Sequence, residues 1–505
     1  MTFPTPNTKW PMPKWEPVRE MIEHAALWWE GDTAQLTSTY HGQYRPSQYA
    51  NGLVGDLSRW FWGAPEAQQK RRVHMPLAAD IAATSATLLF DRPPQFTHPD
   101  YQDILDDVLD PNVFPSELLV AGESCAALGA VGWRVIWDSG VSDHPWIDWV
   151  DADAVFPTFR YGRIESVMFV EQLPAIPQDN HVYRLFTLHE RGRISYRLMV
   201  GKENNVGTMK PLGSHPATVP LVQFVDADGG QDTGMDCMTA GYIPNARPVV
   251  GLRRDGQLRH VGRPDLTADL FPLFDSLDEV WTELRAEVRL SRKKVIVPDW
   301  MLDTRGLGNG ASFDNDREIY SPIKSRPDQD MRPEIYAPSL RVNELLDAAT
   351  AWTDKIIQRA NYSPASFGLD TATGGGGAVT AREIDARYDA SLRTWSAKSA
   401  YWAKGLKDAA TALLQRDLLM HGYSPDVEPP KVLMERPVQE TQLDKAQTVQ
   451  ALDAARAVST EQKIAMLWPE WDGDQQGEEV RRVLAEQSGV ADPLTFAEDD
   501  QPLDG

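Results

Sequence analysis

Leu277-Asp278-Glu279-Val280-Trp281-Thr282-Glu283-Leu284-Arg285-Ala286-Glu287-Val288-Arg289 mixes apolar and acidic residues in the pattern of a long amphipathic helix. With the residues before it, Leu270, Phe274, Leu277, Trp281, Leu284 and Val288 recur at helical spacing, while Asp275, Asp278, Glu279, Glu283 and Glu287 fill much of the remainder. Arg292-Lys293-Lys294 follows, cations where a helix C-terminus favours them. A second helical stretch begins near Ser339 and repeats Val342, Leu345, Leu346, Ala349, Trp352, Ile356 and Ile357. Between the two, Val295 to Ala337 is rich in turn residues and poor in apolar periodicity. Two long helices carrying a small module suit a rod or a wall that repeats in an assembly better than a catalytic pocket.

Downstream, Asn361 to Val379 contains Gly374-Gly375-Gly376-Gly377, four residues with unrestricted φ. Thr380-Ala381-Arg382-Glu383 has the pattern of a capping box, with Thr380 as N-cap and Glu383 at N3. From there to Met420 the only breaker is Gly405, which predicts one helix of roughly 60 Å at ~1.5 Å per residue, with Gly405 as the place for a bend. Shorter helices are expected at 441–458, 459–467 and 477–487.

Upstream, residues 1–17 hold five prolines and read as an extended arm. Helices are expected over 16–30, 76–90 and 115–128. From Gly132 the pattern changes to short β-branched and aromatic runs: 133–137, 154–156, 164–173, 182–189 and 194–200, separated by Gly, Pro and Asp. Glu190-Arg191-Gly192-Arg193 reads as a hairpin turn. Helices, then a mostly antiparallel β region, then long helices is the order of an α+β protein.

At 505 residues the chain exceeds a single ordinary core. Its apolar fraction of 42% and 17 Trp residues argue for a folded protein. A formal charge of −23 opposes tight sequence-independent binding to duplex DNA, which rests on cations meeting phosphate. It does not oppose DNA sliding through a pore that must not grip it. The last residues, 497–505, are acidic and are expected to fray. Two cysteines, Cys125 and Cys237, make no disulfide framework and suit a reducing compartment. No signal-peptide pattern opens the chain and no run approaches the ~18 apolar residues of a membrane span, so assembly in a cytosol is expected.

Candidate chemistry is sparse. Asp151-Ala152-Asp153 resembles the Asp-x-Asp pair that holds a divalent metal in some sugar-nucleotide transferases, and Trp28-Trp29 and Trp60-Phe61-Trp62 are possible sugar platforms. The bland reading of the first is an acidic strand end, and of the others core or interface anchors. The tetraglycine run lacks the Lys-Ser/Thr of a phosphate-binding loop, and Gly122-Glu123-Ser124 matches only the start of a nucleophile elbow. Ten scattered histidines show no zinc spacing. Lys70-Arg71-Arg72 and Arg253-Arg254 suit nucleic acid or, equally, salt bridges between subunits. No cofactor or metal is expected.

The segment 277–289 with Lys293-Lys294-Val295-Ile296-Val297-Pro298 resembles the stem-to-clip passage of portal proteins from long-tailed double-stranded DNA bacteriophages. Phe367-Gly368-Leu369-Asp370, the glycine run and Thr380-Ala381-Arg382-Glu383-Ile384 resemble that family's tunnel loop and the start of its long helix; Ala121-Gly122-Glu123-Ser124 leading into 133–138 resembles its wing. The likeness covers roughly residues 115–490. It implies an N-terminal arm (1–17), an α+β wing (18–265), stem helices (266–292 and 338–362), a clip (293–337), a tunnel loop (363–379), a long wing helix (380–420), a helical crown (421–490) and an acidic tail (491–505). It further implies a homo-oligomeric ring, usually of twelve subunits, at one capsid vertex of the virion, assembled in the host cytoplasm. Double-stranded DNA would pass through its channel. Implied partners are the terminase large subunit, then a head-completion or adaptor protein, with the major capsid protein and a scaffold around the ring.

On that reading Asp275, Asp278, Glu279, Glu283 and Glu287 face the channel or a subunit seam exposed to it, repelling phosphate. Thr371, Thr373 and Gly374 to Gly377 approach DNA in the tunnel loop, and Lys293, Lys294, Trp300 and Arg305 dock partners at the clip. The rivals are a carbohydrate-active enzyme using Asp151 and Asp153, and another phage structural protein such as a capsid or baseplate component.

Overall fold

Pro17 in the first turn and Gly31 just past the last one bound the opening helix, α1 (Glu16–Glu30), as a ring-locked φ and a left-handed glycine (φ 64°) should. The computed structural model describes residues 3–40, 72–138, 140–290, 294–298, 320–323, 334–336, 341–369, 381–437, 449–455, 457–468, 471 and 473–488. After α1 come α2 (Thr33–Tyr40), α3 (Leu77–Phe90), β1 (Gln95–Thr97), α4 (Gln102–Val108) and α5 (Phe114–Leu128). Helices α1, α3 and α5 pack on one another. They enclose alanine-rich faces, with Ala25, Ala78, Ala82, Ala126 and Ala127 all buried.

The β region then runs as β2 (Ala130–Ile136), β3 (Trp146–Asp151), β4 (Val155–Arg160), β5 (Arg163–Gln172), β6 (Val182–Glu190), β7 (Arg193–Lys202), β8 (Asn205–Lys210), β9 (Gly230–Asp232) and β10 (Ala240–Pro244). An antiparallel sheet in the order β4-β5-β6-β7-β8, with β9 on β7, lies beside a second one in the order β10-β2-β3. The turn read at 190–193 is present: Glu190 pairs with Arg193, and Gly192 takes φ 79°. Val155, Phe156, Val167, Met168, Phe169 and Phe186 fill the core between the sheets and α1. The extended arm is pinned to this region. Asn7 donates to the Gly207 carbonyl at 2.6 Å, and Trp10 meets Phe186 edge-on at 5.4 Å.

His189 sits inside this β layer, its Nδ1 2.8 Å from the Thr239 hydroxyl and its ring edge-on to Phe169. Burial, and then the charge of Arg134, push its pKa down to about 3. The folded state therefore holds the neutral imidazole, while the unfolded chain takes up a proton below about 6.5. Stability from this residue is present above pH 6.5 and is lost as pH falls from there toward 3, by about 1.4 kcal/mol per unit. A His189→Gln chain, whatever its stability at pH 7, should show a flatter decline in urea midpoint between pH 6.5 and 4 than the parent. Parallel declines would refute this.

The second half is helical. The first long helix, α6, spans Phe271–Leu290 and so starts later than the residue 266 that the resemblance implies. Pro272 explains the late start: a proline fits the first turn of a helix but disfavours helical φ/ψ in what precedes it. Leu266 and Leu270 are nonetheless buried in the same cluster. Between α6 and α7 (Val342–Arg359) lies a three-stranded sheet of β11 (Lys294–Pro298), β12 (Tyr320–Ile323) and β13 (Glu334–Tyr336). β11 is central, parallel to β12 and antiparallel to β13. Asn361 ends the α7 stretch in a left-handed conformation, φ 66°.

The long uninterrupted helix is present as α8 (Ala381–Met420). Its Gly405 has a packing reason: a Cβ there would stand 2.4 Å from Ile243 on β10. Around it Trp402, Leu406, Ala409 and Leu413 join Trp133, Leu118 and Phe90 in a second core. Strand β14 (Lys431–Leu433) then pairs with β1.

The chain separates into two units, Met1–Thr371 with Tyr388–Glu435, and Ala372–Arg387 with Arg436–Gly505. Within the second, α9 (Thr460–Leu467) is capped by Ser459, whose hydroxyl accepts from the Gln462 N–H at 3.3 Å. Helix α10 (Gly473–Ser488) follows. Gln476 joins the two by donating to the carbonyls of Trp468 and Trp471, whose rings stack at 5.1 Å.

Candidate channel wall and docking site

Helices α6 and α7 pair along their apolar faces. Phe274 and Leu277 from the first, Ala349, Ile356 and Ile357 from the second, and Leu36, Leu77 and Ile81 from α2 and α3 form one buried cluster. Trp281 and Trp352 are half-buried at its edge. The pair is thus fixed to the wing at one end and carries β11–β13 at the other.

The five acidic residues read as one channel face do not share one environment. Glu279 and Glu283 are exposed. Glu287 is half-buried and lies 3.7 Å from Arg341, which ties the end of α6 to the start of α7. Asp275 pairs with Arg72. Asp278 departs from the expectation outright: it is 1% exposed, and its carboxylate accepts from the Met75 N–H at 2.9 Å and meets His74 Nδ1 at 2.9 Å. Val73 adds a bond from its N–H to the Thr282 hydroxyl. The 72–75 segment therefore lies along α6 and uses Asp278 as an internal acceptor, so Asp278 does not face a channel.

Of the clip candidates, Lys294 opens β11 opposite Tyr336; Lys293, Trp300 and Arg305 lie outside the described residues. So do Thr371, Thr373, Gly374 to Gly377, Thr380 and the 60–62 aromatics. The chain on either side of the glycine run is held by hydrogen bonds. Ser363 donates its N–H to the Ser391 hydroxyl at 2.9 Å, Ser366 donates to the same oxygen at 2.7 Å, and Thr394 donates to the Asn361 carbonyl.

Below these bonds is a group that the sequence reading passed over. Lys398 Nζ lies 2.5 Å from Asp265 Oδ2, 2.6 Å from the Ser85 hydroxyl and 2.9 Å from the Tyr362 hydroxyl. Tyr362 in turn donates to Asp265, and burial followed by that carboxylate's charge raises the phenol's pKa, keeping it a donor. The signal was present: Trp395, Lys398, Trp402, Leu406 and Ala409 share one helical stripe, with a lysine at a core position.

The acidic pair of the wing is also placed. Asp151 ends β3 and accepts from the buried Ser124 hydroxyl. Burial, and then Asp151, push the Asp153 carboxyl up. Trp28 is buried against Phe274, and Trp29 donates to Glu123 at 3.0 Å, so neither offers an open sugar platform. Both cysteines are free thiols. Among the described residues no helix is long and apolar enough to cross a membrane.

A helix pair tipped by a small sheet, set in an α+β wing and followed by a 40-residue helix, is the plan of a viral portal subunit. The chain belongs to the phage portal protein family, SPP1 Gp6-like, whose profile matches residues 37–492. That family is structural, not enzymatic.

Among solved structures, the chain is similar to one in the virion of a native gene transfer agent particle, at 10% identity and TM-score 0.40, covering 86% of this chain and 98% of that one. It is also similar to one in the neck of the native particle computed with C12 symmetry, at 11% identity and TM-score 0.38, covering 84% and 94%. A third is in the neck of the empty particle computed with C6 symmetry, at 11% and 0.40, covering 80% and 92%. The family match carries the assignment. No protein of curated function matches the chain in sequence.

Proposed function

We propose that this chain forms a ring, usually of twelve copies in the family it resembles, at one vertex of a capsid. Double-stranded DNA passes through the ring during packaging and ejection. The packaging motor, a terminase large subunit, docks on the tip of the stem first, and a head-completion or adaptor protein replaces it. The observation that supports this best is the family match across residues 37–492. The helix pair with β11–β13 between its two arms adds the physical counterpart, a rigid wall with a small docking module. Glu279 and Glu283 would be the exposed carboxylates that keep phosphate from sticking. Light scattering on the purified chain should give a particle of several hundred kilodaltons, and negative-stain images should show rings with an axial hole. A monodisperse monomer at every concentration would overturn the reading.

The glycine run gives a second test. A connector between two helices needs only a few residues, and ordering four consecutive glycines is entropically costly. Its length is therefore assigned a function against DNA whose symmetry differs from the ring's, with Thr371 and Thr373 offering neutral hydroxyls to phosphate. Shortening Gly374–Gly377 to one residue should leave ring assembly intact and lower the yield of particles retaining a full genome severalfold. Normal retention would reduce the loop to a linker.

A further inference from the structure

The wing of this strongly acidic chain carries a patch of the opposite sign. Arg247 is half-buried, its guanidinium lying 5.5 Å from the Phe159 ring and 5.8 Å from the Tyr401 ring, and its Nε is buried with no hydrogen-bond partner. His260 packs on the same Phe159 at 5.3 Å and accepts at Nε2 from Arg259 Nε at 2.9 Å. Burial, then Arg259, then Arg247 hold the His260 pKa below its ordinary value, which favours the neutral imidazole as an acceptor beside two guanidinium groups. Among the described residues no carboxylate lies within ion-pair reach of Arg247, Arg259 or His260. The turn joining β4 to β5 borders them: a Cβ on Gly162 would stand 3.5 Å from the His260 ring. That turn offers Arg163, exposed and near Asp408, and Arg160, already paired with Glu165 at 3.2 Å. Its tip is Tyr161, left-handed at φ 49° and 95% exposed.

A half-buried guanidinium without an anion is costly, and it is made whole when a partner brings one in. Arginines suit the planar fork of a carboxylate. An aromatic side chain 95% exposed at the rim marks a macromolecular contact more than a small-ion site. Every copy of this chain carries a formal charge of −23, so copies meeting side by side repel unless a basic patch faces an acidic one. We infer that the Arg247–Arg259–His260 patch, with Arg163 and Tyr161 at its rim, receives a carboxylate from a second copy of this chain and is a salt-sensitive contact between neighbours. This rests on the proposed ring.

Two measurements test it. Arg259→Gln with Arg163→Gln, both exposed positions, should leave the monomer folded and lower severalfold the sodium chloride concentration at which rings dissociate, followed by light scattering. Separately, Arg259→Lys supplies an amine that a carbodiimide can join to a nearby activated carboxylate. In a mixture of isotopically light and heavy chains of this variant, mass spectrometry should find the introduced amine joined to an Asp or Glu of the other isotope. An unchanged dissociation point, or cross-links confined to one isotope, overturns the inference while leaving the ring intact. Rings of unchanged salt stability that lose affinity for a 30-base-pair duplex would assign the patch to nucleic acid and also overturn it. A parent chain that stays monomeric, with a variant that gives no cross-link between isotopes, sinks the ring and this contact together.

Discussion

Lys398→Met should lower the stability of the chain by about 3–5 kcal/mol, the usual cost of removing one partner from a buried ion pair. Lys398 and Asp265 are 4% and 7% exposed, so water does little to screen either. The ammonium has three donors and three acceptors around it: Asp265, Ser85 and Tyr362. Without it, Asp265 stays buried with, among the described residues, Asn245 and Tyr362 left donating to it. Ser85 lies on α3, Asp265 precedes α6, Tyr362 follows α7 and Lys398 is on α8, so four parts of the chain lose a common anchor. Adding Asp265→Asn to the methionine variant removes the orphaned charge and keeps an oxygen for Asn245. The pair should recover at least half of the loss. Urea midpoints measure both; a single variant as stable as the parent, or a double variant no better than the single, would show that the ion pair is not what holds these segments.

The elements that periodicity revealed were those whose faces are set by local rules. Helix α1 is bounded by Pro17 and Gly31, and the β6–β7 hairpin by Arg191-Gly192, because a proline ring and a glycine at positive φ act within a turn or two. Helix α8 was legible for the same reason, with no breaker but Gly405 between its ends. What Gly405 does was not legible: it admits Ile243, more than 150 residues away in sequence. The start of α6 was misplaced because Leu266 and Leu270 keep the apolar spacing and the burial of a helix while Pro272 delays its geometry. Long-range partners hid the chemistry of Lys398 and Asp278 in the same way. A charged residue on a helix reads as solvent-facing until the segment that covers it is known, and the residues that cover Asp278, His74 and Met75, lie about 200 positions earlier. Spacing alone thus treated as alike residues that the fold places in different environments, Asp278 buried and Glu279 and Glu283 exposed.

That difference gives the second large effect. Asp278→Lys should prevent assembly, because a lysine there would face the Met75 N–H and His74 with no anion to accept from them. An unpaired buried charge costs several kcal/mol, enough to exhaust much of a typical domain's stability. The neighbouring change, Glu279→Lys with Glu283→Lys, touches two exposed carboxylates and should shift stability by no more than about 1 kcal/mol. Its effect belongs to function instead. Each copy around the ring would present two cations where it had two anions, and DNA moving past them would meet attraction rather than repulsion. Packaging should slow at low ionic strength and return toward the parent rate as salt rises, because at ~0.1 M the screening length is only about 10 Å. Two results would contradict this account. Asp278→Lys forming rings as readily as the parent would mean that the 72–75 segment does not depend on that carboxylate. Packaging by the double variant at the parent rate at every ionic strength would mean that Glu279 and Glu283 lie on the outside of the stem, away from DNA.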